Sequence, residues 1–297
     1  MRYIFEPGFF ASGQVHTALL VGAVIAITSA VVGVFTVTRG QSFAGHSLAD
    51  ISVTGGSGAF FIGVSQFWGY LAFGAGAAAF IEMIGVQRRR GRDVATGVVL
   101  GGALGLAALF LYLGTQTSST TGATFTILFG SLFVLTSSTV PALIVSALIA
   151  LVTVIVLARV LLLSSLSPDI AAARGVNVRL AGAVFLMALA ISVALSAMVI
   201  GALLSTALLI GPAATALKVA RGPVRAMVTA AAIGVLATWL GIVLSYDSFY
   251  WRPAGKGWPV SFFIVVLVAG AYLVTYFKPS RPIPPQPAQE HTCSPAL

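Results

Sequence analysis

Residues 94–114 read VATGVVLGGALGLAALFLYLG, an apolar segment without a single charged residue. The hydrocarbon core of a bilayer is about 30 Å thick, and roughly 20 apolar helical residues cross it. The segment therefore predicts a transmembrane helix. The absence of charge continues as far as Arg159 and recurs between Arg179 and Lys218. Each of these two stretches is long enough to hold more than one span or a re-entrant piece.

The composition of the whole chain excludes a soluble fold. Of the 297 residues, 58% are hydrophobic and 8% are charged, whereas soluble globular proteins carry about 25% charged residues. We predict an all-α polytopic membrane protein with about nine transmembrane helices. The predicted spans are Val15–Val37, Ile51–Trp68, Tyr70–Val86, Val94–Gly114, Val140–Leu163, Leu180–Val199, Leu203–Leu217, Ala226–Leu244 and Val260–Tyr276.

The number of spans depends on residues 51–86. A single long tilted helix there would give eight spans. However, 48 residues separate Arg39 from Arg88, and two short spans with a turn near residues 68–70 fit that length better. In both arrangements 13 of the 16 Lys and Arg residues lie on one side of the membrane. The positive-inside rule assigns that side to the cytoplasm and places the C-terminus there.

The remaining features divide the chain into two parts. We expect a transmembrane domain over residues 1–278 and a disordered, proline-rich tail over residues 279–297, because a segment of that composition cannot build a core. The apolar run 123–135 is too short to span and is expected to be re-entrant or interfacial. The net charge of +9 comes from the loops between spans, so we exclude a nucleic-acid partner. The single cysteine, Cys293, excludes an internal disulfide.

One histidine and one aspartate stand where the chain re-enters the membrane after Arg39. His46 and Asp50 are four residues apart and share one face of a helix. Ser42 and Thr54 extend that face by one turn in each direction. Counting from Arg39 at about 1.5 Å per residue places Asp50 roughly 16 Å deep, near the midplane.

Ionisable side chains at that depth are costly and indicate a functional site. An imidazole with a carboxylate suits zinc, manganese or iron(II), and the absence of a nearby thiolate argues against copper(I). Two other interpretations stay open on the residues alone. The pair could form a hydrogen-bonded contact that only fixes a helix turn, or it could relay protons.

A second candidate site is the segment 203–216, LLSTALLIGPAATA. Pro212 removes a backbone hydrogen bond inside a predicted span, and Gly211 loosens the helix further. Carbonyl groups freed at membrane depth must face protein or a water-filled path. We therefore place Ser205, Thr206 and Pro212 along a candidate transport path, with an ordinary kinked packing helix as the alternative.

A third segment, residues 165–179, lies in a predicted cytoplasmic loop and has the pattern of a short helix. Pro168 and Asp169 suit a first helical turn, and Gly175 suits a helix end. Its alanines, among them Ala172, leave a smooth surface beside Arg174 on which a partner can dock. The alternative is a plain interhelical loop.

The chain has no phosphate-binding loop of the G-x-x-x-x-G-K-[ST] type. With three histidines in all, a hydrolase triad has little to be built from. We therefore predict a transport protein, not an enzyme, with no cofactor in this chain.

Three segments together resemble the zinc/manganese family of ABC importer permeases. They are residues 38–50, the run from Ser167 to Val176, and residues 203–216. No single motif is strong, but their order and spacing match over about residues 8–278. The family is similar in architecture to cobalamin-type and siderophore-type importer permeases. The resemblance therefore favours the nine-span arrangement with the N-terminus outside.

The resemblance implies a function and an assembly. It implies that residues 1–278 form the permease domain of an ATP-driven importer for a divalent transition metal, in the plasma or inner membrane. The implied partners are a second copy of the chain, cytoplasmic ABC ATPase subunits and a metal-binding protein outside the membrane. His46 and Asp50 would be metal ligands, and the ATPase-coupling residues would be Pro168, Asp169, Ala172, Arg174 and Gly175.

In one respect the sequence departs from the family pattern. Family members commonly place the acidic residue first and the histidine four residues later, whereas here His46 precedes Asp50. This reversal leaves the identity of the metal open. The competing interpretation is an ion-gradient-driven secondary metal transporter or channel.

Overall fold

Eleven α-helices and no strands make up the part of the chain that the computed structural model describes. The described residues are 9, 12–85, 89–118, 122–130, 132–133, 135–249, 251 and 257–277. The helices are α1 (Gly13–Thr38), α2 (Ser42–Ile62), α3 (Gln66–Gly85), α4 (Arg89–Ser118), α5 (Gly122–Phe129), α6 (Thr139–Leu166), α7 (Pro168–Ala173), α8 (Val178–Ile200), α9 (Ala202–Val219), α10 (Pro223–Ser248) and α11 (Val260–Phe277). The predicted tail at 279–297 lies outside the described residues.

Six segments of these helices are long and apolar enough to cross a membrane. They are Gly13–Thr38, Thr96–Gln116, Thr139–Ser165, Val178–Ile200, Pro223–Ser248 and Val260–Phe277. The prediction of an all-helical, polytopic membrane protein is therefore confirmed for the described part of the chain. Helices α2, α3 and α9 have 21, 20 and 18 residues, and the count of nine spans stays a prediction.

The segment 51–86 is not one long helix. Helix α2 ends at Ile62, Gly63 adopts a left-handed conformation with φ 80°, and α3 begins at Gln66. The turn therefore falls a few residues before the predicted position at 68–70. Glycine allows this turn because it carries no Cβ that would clash at positive φ.

Helix α2 begins at Ser42, well before the predicted span boundary at Ile51. Gly40, with φ 65°, and the bond from Gln41 N to Thr36 O (2.9 Å) form a tight turn directly after α1. The polar residues that follow are already helical. The sequence boundary was late because hydropathy detects apolar residues, whereas a helix continues through polar ones when their backbone bonds are made.

The bundle is organised around α1, α2 and α8. About three quarters of the apolar windows of α1 and α8 are buried (72% and 78%), against 11% for α4 and 22% for α6. Helix α2 packs most extensively against α3 and α4. Small residues allow this approach: a methyl group at Gly55 would overlap the Gly69 carbonyl group, and one at Gly56 would overlap the Tyr70 ring. The outer faces of α4 and α6 remain for lipid or another chain.

Helix α5 belongs to the predicted non-spanning run 123–135. It packs against the junction of α8 and α9, where Gly201 has φ 106°. A methyl group at Gly201 would overlap the Leu128 carbonyl oxygen, and one at Gly130 would overlap the Val199 carbonyl oxygen. Two glycines thus let the backbones of the two segments touch, and this contact fixes the break between α8 and α9.

Candidate functional site

His46 and Asp50 lie on one face of α2 and contact each other. The distance from His46 Nε2 to Asp50 Oδ2 is 3.5 Å, as expected for side chains four residues apart on a helix. The His46 side chain is 47% exposed and the Asp50 side chain is 14% exposed. The imidazole therefore lies at the surface of the single chain, whereas the carboxylate is largely covered.

The pair lies closer to the start of α2 than the sequence indicated. The turn at residues 39–41 contributes no helical rise. Counting from Ser42, Asp50 is two turns along the axis, about 12 Å, and His46 is about 6 Å. The earlier value of roughly 16 Å treated the turn as helix. The pair therefore lies in the half of α2 that is nearer to the predicted cytoplasmic side.

The buried side of α2 at this level is occupied by Gly45. A methyl group there would press against Leu209 of α9, with Thr36 and Leu189 nearby. His46 is rotated away from that contact. The face that carries the pair continues into the contact with α4, where the Thr54 hydroxyl donates to the Ala103 carbonyl oxygen at 2.8 Å.

The four sequence-predicted residues of this face are therefore not equivalent. Ser42 is half-buried and His46 is exposed, whereas Thr54 is 1% exposed. The Thr54 hydroxyl already has an acceptor on α4, so the structure places it in helix packing. The accessible polar groups of this face are those of Ser42, His46 and Asp50.

One chain supplies two candidate metal ligands at this position, His46 and Asp50. Among the described residues, no group of three or more His, Cys, Asp and Glu side chains comes together. An imidazole and a carboxylate can bind a divalent metal, but the remaining coordination positions must come from water, backbone oxygens or another chain.

Helix α9 carries Ser205, Thr206 and Pro212. Ser205 is fully buried, and its hydroxyl donates to the Ala202 carbonyl oxygen at 3.1 Å. Thr206 is half-buried, and Pro212 is buried inside the helix. The Ser205 hydroxyl is thus used within its own helix, and the structure does not bring it to the His46–Asp50 pair.

The part of α9 around Pro212 packs closely against α1 and α11. A methyl group at Gly33 of α1 would overlap the Leu209 carbonyl oxygen, and one at Gly211 would overlap the Val268 side chain. Pro212 has no N–H to offer the Leu208 carbonyl, and Leu208 is fully buried. About one turn before the proline, Leu209 contacts Gly45, and helices α2 and α9 meet at this point.

The predicted cytoplasmic helix is present as α7. It begins with Pro168 at its first position, Asp169 lies in its first turn, and Gly175 follows its end with φ 77°. The Gly175 N–H donates to the Ala172 carbonyl oxygen at 2.9 Å. Asp169, Ala172, Arg174 and Gly175 are exposed. Fully buried Ala171 holds the helix against the bundle, so α7 presents one free face.

On the sequence alone, Arg39 served as a topology marker and as part of the segment 38–50, and no contact was assigned to it. In the structure its Nη1 donates to Ser164 Oγ at 2.9 Å and lies 3.4 Å from the Leu161 carbonyl oxygen. The Arg39 Cζ lies 5.5 Å from the centroid of the Phe185 ring. These contacts join the α1–α2 turn to α6 and α8. They connect residues more than 120 positions apart, and no local pattern indicates them.

A comparison with protein families matches residues 13–278 to the ABC 3 transport family. The chain belongs to the ABC 3 transport family. This match, together with the relatives described next, confirms the predicted resemblance to permeases of ABC metal importers. Members of the family are transport components.

Curated relatives of this family member align along most of its length. The manganese transport system membrane protein MntC of Listeria innocua is 29% identical over 243 residues, which cover 82% of this chain and 85% of that protein. The high-affinity zinc uptake system membrane protein ZnuB of Haemophilus influenzae is 26% identical, covering 89% and 97%.

A solved structure agrees in fold. PsaBC from Streptococcus pneumoniae, in complex with Fab, aligns with a TM-score of 0.78 and 24% identity, covering 91% of this chain and 94% of that chain. At that identity the likeness concerns the fold. It supports the all-helical architecture and the polytopic arrangement.

Proposed function

We propose that this chain is the membrane-spanning permease subunit of an ATP-driven importer for a divalent transition metal in the plasma membrane. The observation that carries the proposal is the His46–Asp50 pair, 3.5 Å apart on α2, in a chain of the ABC 3 transport family. The relatives are named for manganese and zinc, and these metals, with iron(II), suit an imidazole and a carboxylate.

A second copy of the chain would complete the metal site. Two-fold symmetry would bring two imidazoles and two carboxylates together if the exposed face of His46 lies near the axis. That is enough for four ligands. The 47% exposure of His46 leaves the imidazole free to face a partner. Release of the ion requires the site to be looser than a closed structural zinc site.

The other partners follow from the same assembly. ATPase subunits would dock on the free face of α7 in the cytoplasm, and an extracytoplasmic binding protein would deliver the metal on the opposite side. The C-terminus would lie in the cytoplasm. We place Ser42 beside the metal path, with Ser205, Thr206 and Pro212 on the neighbouring α9. This chain itself hydrolyses no ATP.

The test is metal uptake into vesicles that contain the chain together with its partner ABC ATPase. We expect manganese or zinc uptake that requires ATP, and loss of uptake in His46→Ala and in Asp50→Ala while the ATPase remains bound. His16→Ala is the matched control, because His16 is an exposed histidine on α1 away from the pair. Wild-type uptake in both site variants would refute the metal-ligand assignment.

The alternative is a secondary transporter or channel in which the pair relays protons. The same vesicles distinguish the two functions. Collapse of the ion gradients with ionophores should leave ATP-dependent uptake intact if the ATPase drives transport. Uptake that follows the imposed gradient and continues with a hydrolysis-deficient ATPase would support the alternative instead.

A further inference from the structure

The guanidinium group of Arg39 lies between the two helices that flank α7. It donates from Nη1 to Ser164 Oγ at 2.9 Å, on the last turns of α6. It also lies over the ring of Phe185 on α8, with its Cζ 5.5 Å from the ring centroid. Helix α7 connects α6 to α8. One side chain therefore contacts the bundle on both sides of α7.

Groups of both α6 and α8 surround the guanidinium group of Arg39. Ser164 is 5% exposed, and its hydroxyl donates in turn to the Leu161 carbonyl oxygen at 3.1 Å. The positive charge lies near the C-terminal end of α6, where the helix dipole is negative. Gly182 on α8 lies beside the guanidinium group, since a methyl group there would be in ordinary van der Waals contact with Nη2 of Arg39, at 3.9 Å. A guanidinium group offers several donors in a fixed plane and can hold such partners together.

The backbone of Arg39 belongs to another functional segment. It directly follows α1 and lies three residues before α2, the helix that carries His46 and Asp50. Ser164 lies three residues before Ser167, the N-cap of α7. A continuous physical connection therefore runs from α7 through Ser164 and Arg39 to the start of α2. Few contacts join α1 directly to α2, and the Arg39 side chain ties the turn between them to α6 and α8.

We propose that Arg39 is a positioning residue that transmits movement of α7 to α2 and so to the His46–Asp50 pair. The proposal rests on the proposed function, in which α7 docks on an ATPase. When Arg39 is replaced, the ATPase still binds α7 and hydrolyses ATP, but the start of α2 no longer moves together with α7. The predicted defect is loss of coupling between hydrolysis and transport, not loss of assembly.

The first measurement is the amount of metal carried per ATP hydrolysed in vesicles containing the complete complex. We expect Arg39→Met to lower this ratio about tenfold, within the usual range of coupling between sites. Ser164→Ala should lower it in the same direction, and the double variant should be no worse than Arg39→Met alone. Arg159→Met is the matched control, because Arg159 is an exposed arginine on the same α6.

Two further variants keep the test decisive if Arg39→Met does not fold. Arg39→Lys retains the charge without the planar donor group, and Ser164→Ala retains the charge and removes one acceptor. A wild-type ratio of metal to ATP in both, with unchanged melting temperature, would overturn the proposal. A reduced ratio in Arg159→Met equal to that of Arg39→Met would also overturn it, since the effect would then be one of charge alone.

A second measurement is independent of metal transport. Spin labels at Thr38 and Ala173, both exposed, report the distance between the α1–α2 turn and α7 in a Cys293→Ser background, in complexes whose labelled chain still copurifies with the ATPase. We expect nucleotide to leave this distance unchanged in the otherwise wild-type complex and to change it when Arg39→Met is added. Equal nucleotide-dependent changes in both would overturn the proposal. Absence of metal uptake in the wild type would instead refute the proposed function, and the label distances would still test Arg39.

Discussion

The hydroxyl group of Thr54 on α2 donates a 2.8 Å hydrogen bond to the carbonyl oxygen of Ala103 on α4. Thr54 is 1% exposed, and the next turns of the two helices continue the contact through Gly58 and Phe110. This bond holds α4, most of which faces outward, against the central helix of the bundle. Thr54 thus serves the contact between α2 and α4, whereas the accessible polar groups of Ser42, His46 and Asp50 lie one to three turns earlier on α2.

Replacement of Thr54 by valine tests whether this residue serves helix packing and not the metal path. The variant keeps the shape and loses the bond, so we expect a loss of about 1 kcal/mol in the free energy of unfolding. The uptake rate per folded molecule should not change. Thr54→Ser is the control, because it retains the hydroxyl. Loss of uptake without loss of stability would assign Thr54 to the metal path.

Exchange of the two candidate ligands tests whether their order matters. In the double variant His46→Asp with Asp50→His, both groups remain four residues apart on the same face of α2. We expect the double variant to retain more metal uptake than either single exchange, which leaves two like groups at the site. The preference between manganese and zinc should shift, because the carboxylate and the imidazole exchange their positions along the axis of α2. Uptake no better than that of the single exchanges would contradict a shared ligand role.

A bulky residue on the free face of α7 tests the docking surface. Ala172 is exposed while Ala171 is fully buried. Ala172→Trp should therefore leave the bundle folded and prevent the ATPase from copurifying. The control is Val224→Trp at the start of α10, since Val224 is 65% exposed in another predicted cytoplasmic loop. Normal ATPase binding by Ala172→Trp would show that the partner docks elsewhere.

The contact between Gly201 and the α5 segment predicts a large stability effect. Gly201 has φ 106°, and a methyl group there would overlap the Leu128 carbonyl oxygen. We expect Gly201→Ala to destabilise the protein by more than about 1 kcal/mol, because strain at positive φ adds to the overlap. Thermal unfolding in detergent measures the effect. Gly105→Ala is the control, since Gly105 lies inside α4 with open space around it. An equal melting temperature for both variants would contradict the close approach.

Local patterns in the sequence were sufficient for several results. The charge-free apolar segments predicted a polytopic helical protein, because hydropathy over about 20 residues is a local property. The four-residue spacing of His46 and Asp50 predicted their contact, since helix geometry fixes it. Pro168 and Gly175 predicted the bounds of α7 for the same reason. Each of these inferences requires only residues that are near one another in the chain.

Other results required the tertiary structure. Thr54 and His46 look alike on a helical projection, yet Thr54 is enclosed by α4 and His46 is exposed. The bond between Arg39 and Ser164 joins positions 125 residues apart. The position of α2 depended on a turn at Gly40 that hydropathy does not detect. Burial, depth and long-range hydrogen bonds depend on which helices pack together. That choice is made by shape complementarity at residues such as Gly55, Gly130 and Gly201, which no single segment of the sequence encodes.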